Sequence, residues 1–219
     1  MRARSRQFKG VKYRFSSTAG DAQITVLDGW VSAFLDAGGD AFIDSGGFIS
    51  TTAVSANYVG LTSVGPLSST TINAVEGSSV FAGGDVTAVN INVSDGFASL
   101  ATTGSAALVN INAATNAEAF VSGLFSASTL NAQQTTFLVA DRTLETSVSA
   151  GTDAGVVLLN DGDFSLTAGA DAVIQAAGDV TANASIGGDF SVFGDSAVAG
   201  NYQIGGDLVS LVATGEVTG

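Results

Sequence analysis

The chain has no cysteine and no histidine, and only one proline in 219 residues. Without cysteine there is neither a disulfide nor a thiolate, and the redox compartment leaves no trace in the sequence. Without histidine the usual general base, metal ligand and physiological pH switch are missing together. Basic residues are scarce: six of the 7 lie in the first fourteen positions (Arg2, Arg4, Arg6, Lys9, Lys12, Arg14), so Arg142 alone faces 20 acidic residues over the remainder, and the net charge is −13. An acidic body of this kind excludes nucleic acid as the expected partner, since phosphate binding needs clustered Lys and Arg. No apolar stretch reaches the ~18 residues of a membrane span. The basic start is not followed by the apolar run of ~7–15 residues that a secretory leader requires. Export would then be signalled elsewhere, the chain would be a piece of a longer one, or the protein would stay inside the cell.

What the chain does contain is apolar and glycine-rich. With 46% apolar residues and 28 glycines, a sizeable core is expected and disorder is not. Val, Ile, Thr and Phe are frequent and no long run of strong helix formers occurs, which predicts short strands joined by glycine-bearing turns. Glycine returns at Gly29, Gly47, Gly65, Gly84, Gly104 and Gly123, in steps of 18, 18, 19, 20 and 19, and again at Gly151, Gly169, Gly187 and Gly205 in steps of 18. A fixed period held from end to end is the signature of a solenoid, each repeat being one turn of a coil.

Other columns keep the same beat. Seven residues after successive glycines stand Ile72, Ile91, Ile111 and Leu130, and eight after stand Asn73, Asn92, Asn112 and Asn131. Six after come Thr71, Asn90, Asn110 and Thr129. Alternate residues of a strand point to opposite faces, so the Ile/Leu column is expected inside and the Thr and Asn columns outside. In the second half Val148-Ser149-Ala150, Leu166-Thr167-Ala168, Ala184-Ser185-Ile186 and Tyr202-Gln203-Ile204 each read in-out-in. These features predict an all-β fold, a right-handed parallel β-helix of about ten coils, forming a rod on the order of 50 Å long.

The step from Gly123 to Gly151 is 28, about nine residues beyond one coil, and predicts an inserted loop near 133–147 that carries Arg142. Residues 1–19 are expected to form a basic tail and capping strand, with Val11-Lys12-Tyr13-Arg14-Phe15 alternating apolar and basic, and 20–219 the solenoid. At the other end Val217-Thr218-Gly219 stops in mid-coil without such a cap. The basic residues Arg2, Arg4, Arg6, Lys12 and Arg14 are either a solvated balance to the acidic body or an assembly surface for the acidic side of another copy.

Two columns carry candidate chemistry. Asn73, Asn92, Asn112 and Asn131 can form an axial amide ladder, because amides both donate and accept and repeat without charge repulsion. With Thr71, Asn90, Asn110 and Thr129 they could instead form a carbohydrate-binding strip. Asp153, Asp171, Asp189 and Asp207, two residues after each late glycine, suit turn acceptors of backbone N–H groups and, more weakly, calcium ligands. Asp36, Asp40 and Asp44, or Asp161 and Asp163, would be further calcium clusters, yet Gly38-Gly39-Asp40 lacks the third glycine of the calcium-binding repeat. No catalytic residue and no cofactor is expected: paired carboxylates across a cleft cannot be read from this spacing, and one basic residue in the body leaves little to bind an acidic sugar.

The strings Ala82-Gly83-Gly84-Asp85-Val86-Thr87, Ala177-Gly178-Asp179-Val180-Thr181 and Ile204-Gly205-Gly206-Asp207-Leu208 resemble the haemagglutinin-type repeats of large bacterial β-helix adhesins. That resemblance implies a non-catalytic rod of a surface or extracellular fibre, associating head to tail through its terminal coils, with carbohydrate or a cell-surface component as a further partner. The region Asp189 to Asp207, with Ala199-Gly200-Asn201, also resembles bactofilins, which would imply a cytoplasmic polymer. A polysaccharide-binding or polysaccharide-cleaving β-helix is the remaining alternative.

Overall fold

The structure is a computed structural model that describes residues 11–17 and 20–218. The described residues contain strands and no helix, from the first strand Val11–Ser17 to the last, Val217–Thr218. Every strand pairing is parallel and joins residues one coil apart, giving a β-solenoid of about ten turns. Among the described residues no helix is long and apolar enough to cross a membrane.

Each turn builds three walls around one core. In the first wall Val31, Ile49, Leu67, Val86 and Ala106 stack in register. In the second, Leu35, Val54, Ile72, Ile91, Ile111 and Leu130 do so. The third stacks Ala41, Val59, Ser78, Ala98 and Ala117. Strict alternation puts these files inside, where Ile72, Ile91, Ile111 and Leu130 are fully buried. Each wall pairs a large inward file with a smaller one: Ile72, Ile91 and Ile111 stand two residues from Ala74, Val93 and Ala113 on the second wall, and Ile43, Leu100 and Ile174 two residues from Ala41, Ala98 and Ala172 on the third, which fills a narrow core at near-constant volume.

Between the first and second walls the backbone turns in an unusual way. Thr51, Ser69, Ala88, Leu108, Ala127 and Glu145 occupy the left-handed region with φ of 45–54°, one residue per coil in six consecutive coils. Each is an extra residue relative to the straight coils on either side. The register shifts between Val31 and Phe34 where this bulge enters, and between Thr143 and Thr146 where it leaves. On either side, Val31–Ala37 and Gly162–Ala168 run straight through the same place. Bending a strand points some carbonyls away from the ladder, and a buried hydroxyl meets one of them. Thr70 Oγ1 donates to Ser68 O at 3.0 Å and Ser128 Oγ to Ser126 O at 2.7 Å. Thr146 Oγ1 reaches Phe125 O at 2.9 Å.

The other two corners carry the periodic glycines, and they are different corners. Gly47, Gly65 and Gly123 lie where the third wall returns to the first; Gly65 N donates to Gly47 O at 2.7 Å and Gly123 N to Gly104 O at 3.0 Å. Gly151, Gly169, Gly187 and Gly205 lie where the second wall meets the third, and Gly151 stacks on Gln133, not on the Gly123 file. The step of 28 is therefore one coil plus the distance from one corner to the other. No loop is inserted at 133–147: Thr136–Ala150 is a single strand, paired with the coils before and after it. Arg142 lies within that strand, stacked on Leu124, and forms an exposed pair with Asp141 at 3.6 Å that contributes little to stability.

Strand Val11–Ser17 pairs along its whole length with Val31–Ala37, so it is the first rung of the solenoid. Arg14 is exposed there, its guanidinium 5.4 Å from the centre of the Phe34 ring. Arg2, Arg4 and Arg6 lie outside the described residues, as does the side chain of Lys12.

Candidate functional site: a polar groove along the second wall

The outward residues of the second wall form two uncharged files. One runs Thr71, Asn90, Asn110 and Thr129, and the other Ser55, Asn73, Asn92, Asn112 and Asn131, each in register with the next coil. The amides bond in series. Asn92 Nδ2 donates to Asn73 Oδ1 at 3.3 Å, Asn112 Nδ2 to Asn92 Oδ1 at 3.1 Å, and Asn131 Nδ2 to Asn112 Oδ1 at 3.4 Å. Asn112 Nδ2 also reaches across to Asn110 Oδ1 at 3.3 Å, and Thr129 donates to the same oxygen, which ties the two files together.

Beside this ladder runs a groove of about 590 Å³, lined by Asp36, Ser55, Asn73, Asn92, Asn112 and Gln133 along the wall and by the corner backbone beyond it. The corner backbone is already paired between coils, Ser94 N to Ala74 O at 3.0 Å and Thr115 N to Gly96 O at 3.0 Å, so the groove presents side chains and not a free strand edge. The same wall continues towards the C-terminal coils, where a second hollow of about 510 Å³ is lined by Thr167, Asn183, Ser185, Asn201, Tyr202 and Gln203. There Asn201 Nδ2 donates to Asn183 Oδ1 at 3.1 Å. Burial raises the Tyr202 hydroxyl above its ordinary pKa, and that hydroxyl donates to Ala199 O at 3.0 Å.

The aspartates hold corners. Asp153 Oδ1 accepts the N–H of Asp171 at 3.2 Å, Asp171 that of Asp189 at 2.8 Å, and Asp189 that of Asp207 at 2.9 Å. Each carboxylate thus caps the next coil and not its own turn. Asp21 does the same for Asp40 at this corner. A parallel file that spacing did not reveal runs at the other corner, where Asp161 accepts from Asp179 N at 3.0 Å and Asp179 from Ala197 N at 2.9 Å. The Ser196 hydroxyl and then the Ala197 N–H hold the Asp179 carboxyl below its usual value. Asp36 lines the groove, Asp40 sits at a corner and Asp44 faces out from the third wall, so these three do not converge. Among the described residues no three acidic side chains form a group suited to a metal ion.

The third wall is of opposite character. Phe81, Phe120, Phe137 and Phe193 point outward from it, each about two-fifths exposed (39–44%), and the Phe120 and Phe137 rings are 6.0 Å apart. Phe81, Phe120, Val139 and Leu159 line an apolar hollow of about 300 Å³. The sequence signal for it was an aromatic residue at the outward offset of the third wall, which becomes readable only once that wall is in register. Compared with protein-family models, with curated proteins and with solved structures, the chain matches none.

Proposed function

We propose that this chain is a non-catalytic structural rod of a bacterial surface or extracellular fibre. The observation that carries this reading is axial continuity: nearly every side-chain bond in the ladders joins residues 18–20 apart, so each coil is fastened to the next through side chains as well as backbone. Such cross-linking resists pulling along the axis, the direction in which a fibre is loaded. The resemblance of the Gly-Gly-Asp strings to adhesin repeats supports the same reading, and the uncharged Ser, Thr and Asn files suit an extracellular surface. Axial association belongs to the proposal. In the last described coil Leu208 and Val217 continue the inward files of Phe190 and Val198 yet are 51% and 49% exposed, an apolar cross-section that another coil would cover.

Light scattering over a range of concentration and salt tests the association, because charge-assisted contacts are screened over ~10 Å at 0.1 M salt. Growth of rods in multiples of the monomer length is expected at low salt, and a monomer at high concentration and low salt overturns it. Antibody labelling of intact cells of the source organism tests the location. Labelling that requires permeabilised cells overturns the surface reading.

A further inference from the structure

We infer that the groove along the Asn ladder is a binding site for an extended, neutral, β-linked polysaccharide strand lying parallel to the solenoid axis. The argument begins with unused valences. A side-chain amide carries two N–H groups and two lone pairs. Asn92 uses one N–H on Asn73 and one lone pair for Asn112, so one of each still faces the groove. Asn73 gives its Oδ1 to Asn92 and keeps both N–H groups. Asn112 spends both N–H groups, on Asn92 and Asn110, and keeps one lone pair. Bonding in series fixes the orientation of these amides, so free acceptors stand at the coil spacing of ~4.8 Å on Asn73, Asn92 and Asn112 and free donors on Asn73 and Asn92, without further loss of rotamer freedom.

The rest of the groove selects the ligand class by exclusion. A peptide strand would add to a sheet edge, but here the backbone is already paired from coil to coil. Nucleic acid and acidic polymers meet an acidic body with no cation in the groove, where Asp36 is the one charged lining residue. A wholly apolar ligand fits the Phe120 hollow better, because here Val75 and the corner alanines face a row of amides, a mixed lining that suits the apolar faces of a sugar ring as well as its hydroxyls. What remains is a neutral polymer whose hydroxyls both donate and accept and recur along its length. From Asp36 to Gln133 the groove offers on the order of 20–25 Å of such surface, and the hollow at Asn183 and Asn201 continues it along the same wall.

The inference does not depend on export or on fibre formation, and its test is separate from theirs. The intact chain is titrated with cellohexaose, xylohexaose and chitohexaose, and with hexagalacturonate as an acidic counterpart, while the Asn side-chain amide signals are followed by NMR. At least one neutral hexasaccharide should shift the Asn73 and Asn92 signals saturably, with hexagalacturonate weaker. Asn92→Ser keeps the wall polar but replaces the amide's two N–H groups and carbonyl with one shorter hydroxyl that cannot hold the ladder and the sugar together, and should weaken binding about tenfold. Phe120→Ser, on the apolar wall, should leave it unchanged, and melting curves of both variants establish that they are folded. No shift with all three neutral sugars, binding unaffected by Asn92→Ser, or hexagalacturonate binding as tightly as the neutral sugars overturns the inference.

Discussion

Gly169 lies so close to Gly151 that a Cβ built on it would stand 2.1 Å from the Gly151 carbonyl oxygen. The same contact recurs up the corner, at 2.2 Å for Gly187 over Gly169 and 1.9 Å for Gly151 over Gln133. These glycines do not have positive φ, so what they supply is room for one corner to sit on the next. Gly169→Ala should therefore cost about 3 kcal/mol or more, because the clash is with backbone and cannot be relieved by a rotamer. Thr167→Ala, an exposed change two residues away, should cost within about 0.5 kcal/mol. Urea unfolding of the two variants decides it, and equal midpoints would refute the steric account of the glycine period.

The amide ladder yields a second expectation. Asn92 is both donor and acceptor within it, so Asn92→Leu breaks two links at a half-buried position and should destabilise the chain by about 1–2 kcal/mol. Asn92→Asp retains an acceptor for Asn112 but has no donor for Asn73, and should lose about half as much. Thermal melts at neutral pH rank the three proteins. A Leu variant as stable as the parent would mean that the ladder contributes no stability.

The solenoid was legible because stacking repeats residue types at one place per coil, and Ile72, Ile91 and Ile111 had to recur together if they shared a file. The corner assignment was not legible. Gly123 and Gly151 look like members of one column interrupted by an insertion, yet two corners of the same coil accept glycine for the same steric reason, and spacing alone does not say which corner a glycine occupies. The bulge left no signal either, since Thr51, Ser69, Ala88, Leu108, Ala127 and Glu145 have no residue type common to all six. Their position is set by the neighbouring coil, whose bend each must follow. For the aspartates the residue type indicated an acceptor of backbone N–H groups, but only the register reveals that Asp171 caps Asp189 one coil away.

That inherited bend carries strain. Leu108 is held at φ 54° with its side chain 59% exposed, so it takes a conformation disfavoured for L-residues by roughly 1–2 kcal/mol while burying little in return. Leu108→Gly removes the strain at a smaller entropic cost, and should raise stability by about 0.5 kcal/mol. The same substitution at Leu166, buried in a straight strand, should cost several kcal/mol by about the usual cavity rule. A Leu108→Gly variant clearly less stable than the parent in chemical denaturation would show that the left-handed residue is not strained.

Acid should act on the corner held by Asp179. The Ser196 hydroxyl and the Ala197 N–H, which its carboxylate accepts at 2.9 Å, hold it below the usual carboxylate range. A carboxyl depressed in the folded state contributes stability that is fully present above the unfolded pKa and disappears as pH falls through the lower, folded value. The group is fully exposed, so the contribution is small in absolute terms and is best read as a difference between two proteins. In the Asp179→Asn variant an amide oxygen can still accept from Ala197 but cannot titrate, while every other carboxyl is common to both chains. The parent should therefore be the more stable protein near neutral pH. As pH falls below the ordinary carboxylate range the gap should narrow, and once Asp179 is protonated in the folded state it should close or reverse. Paired denaturant titrations across that range measure the gap directly. A difference that stays constant with pH would mean that the Asp179 carboxylate does not hold the corner through its charge.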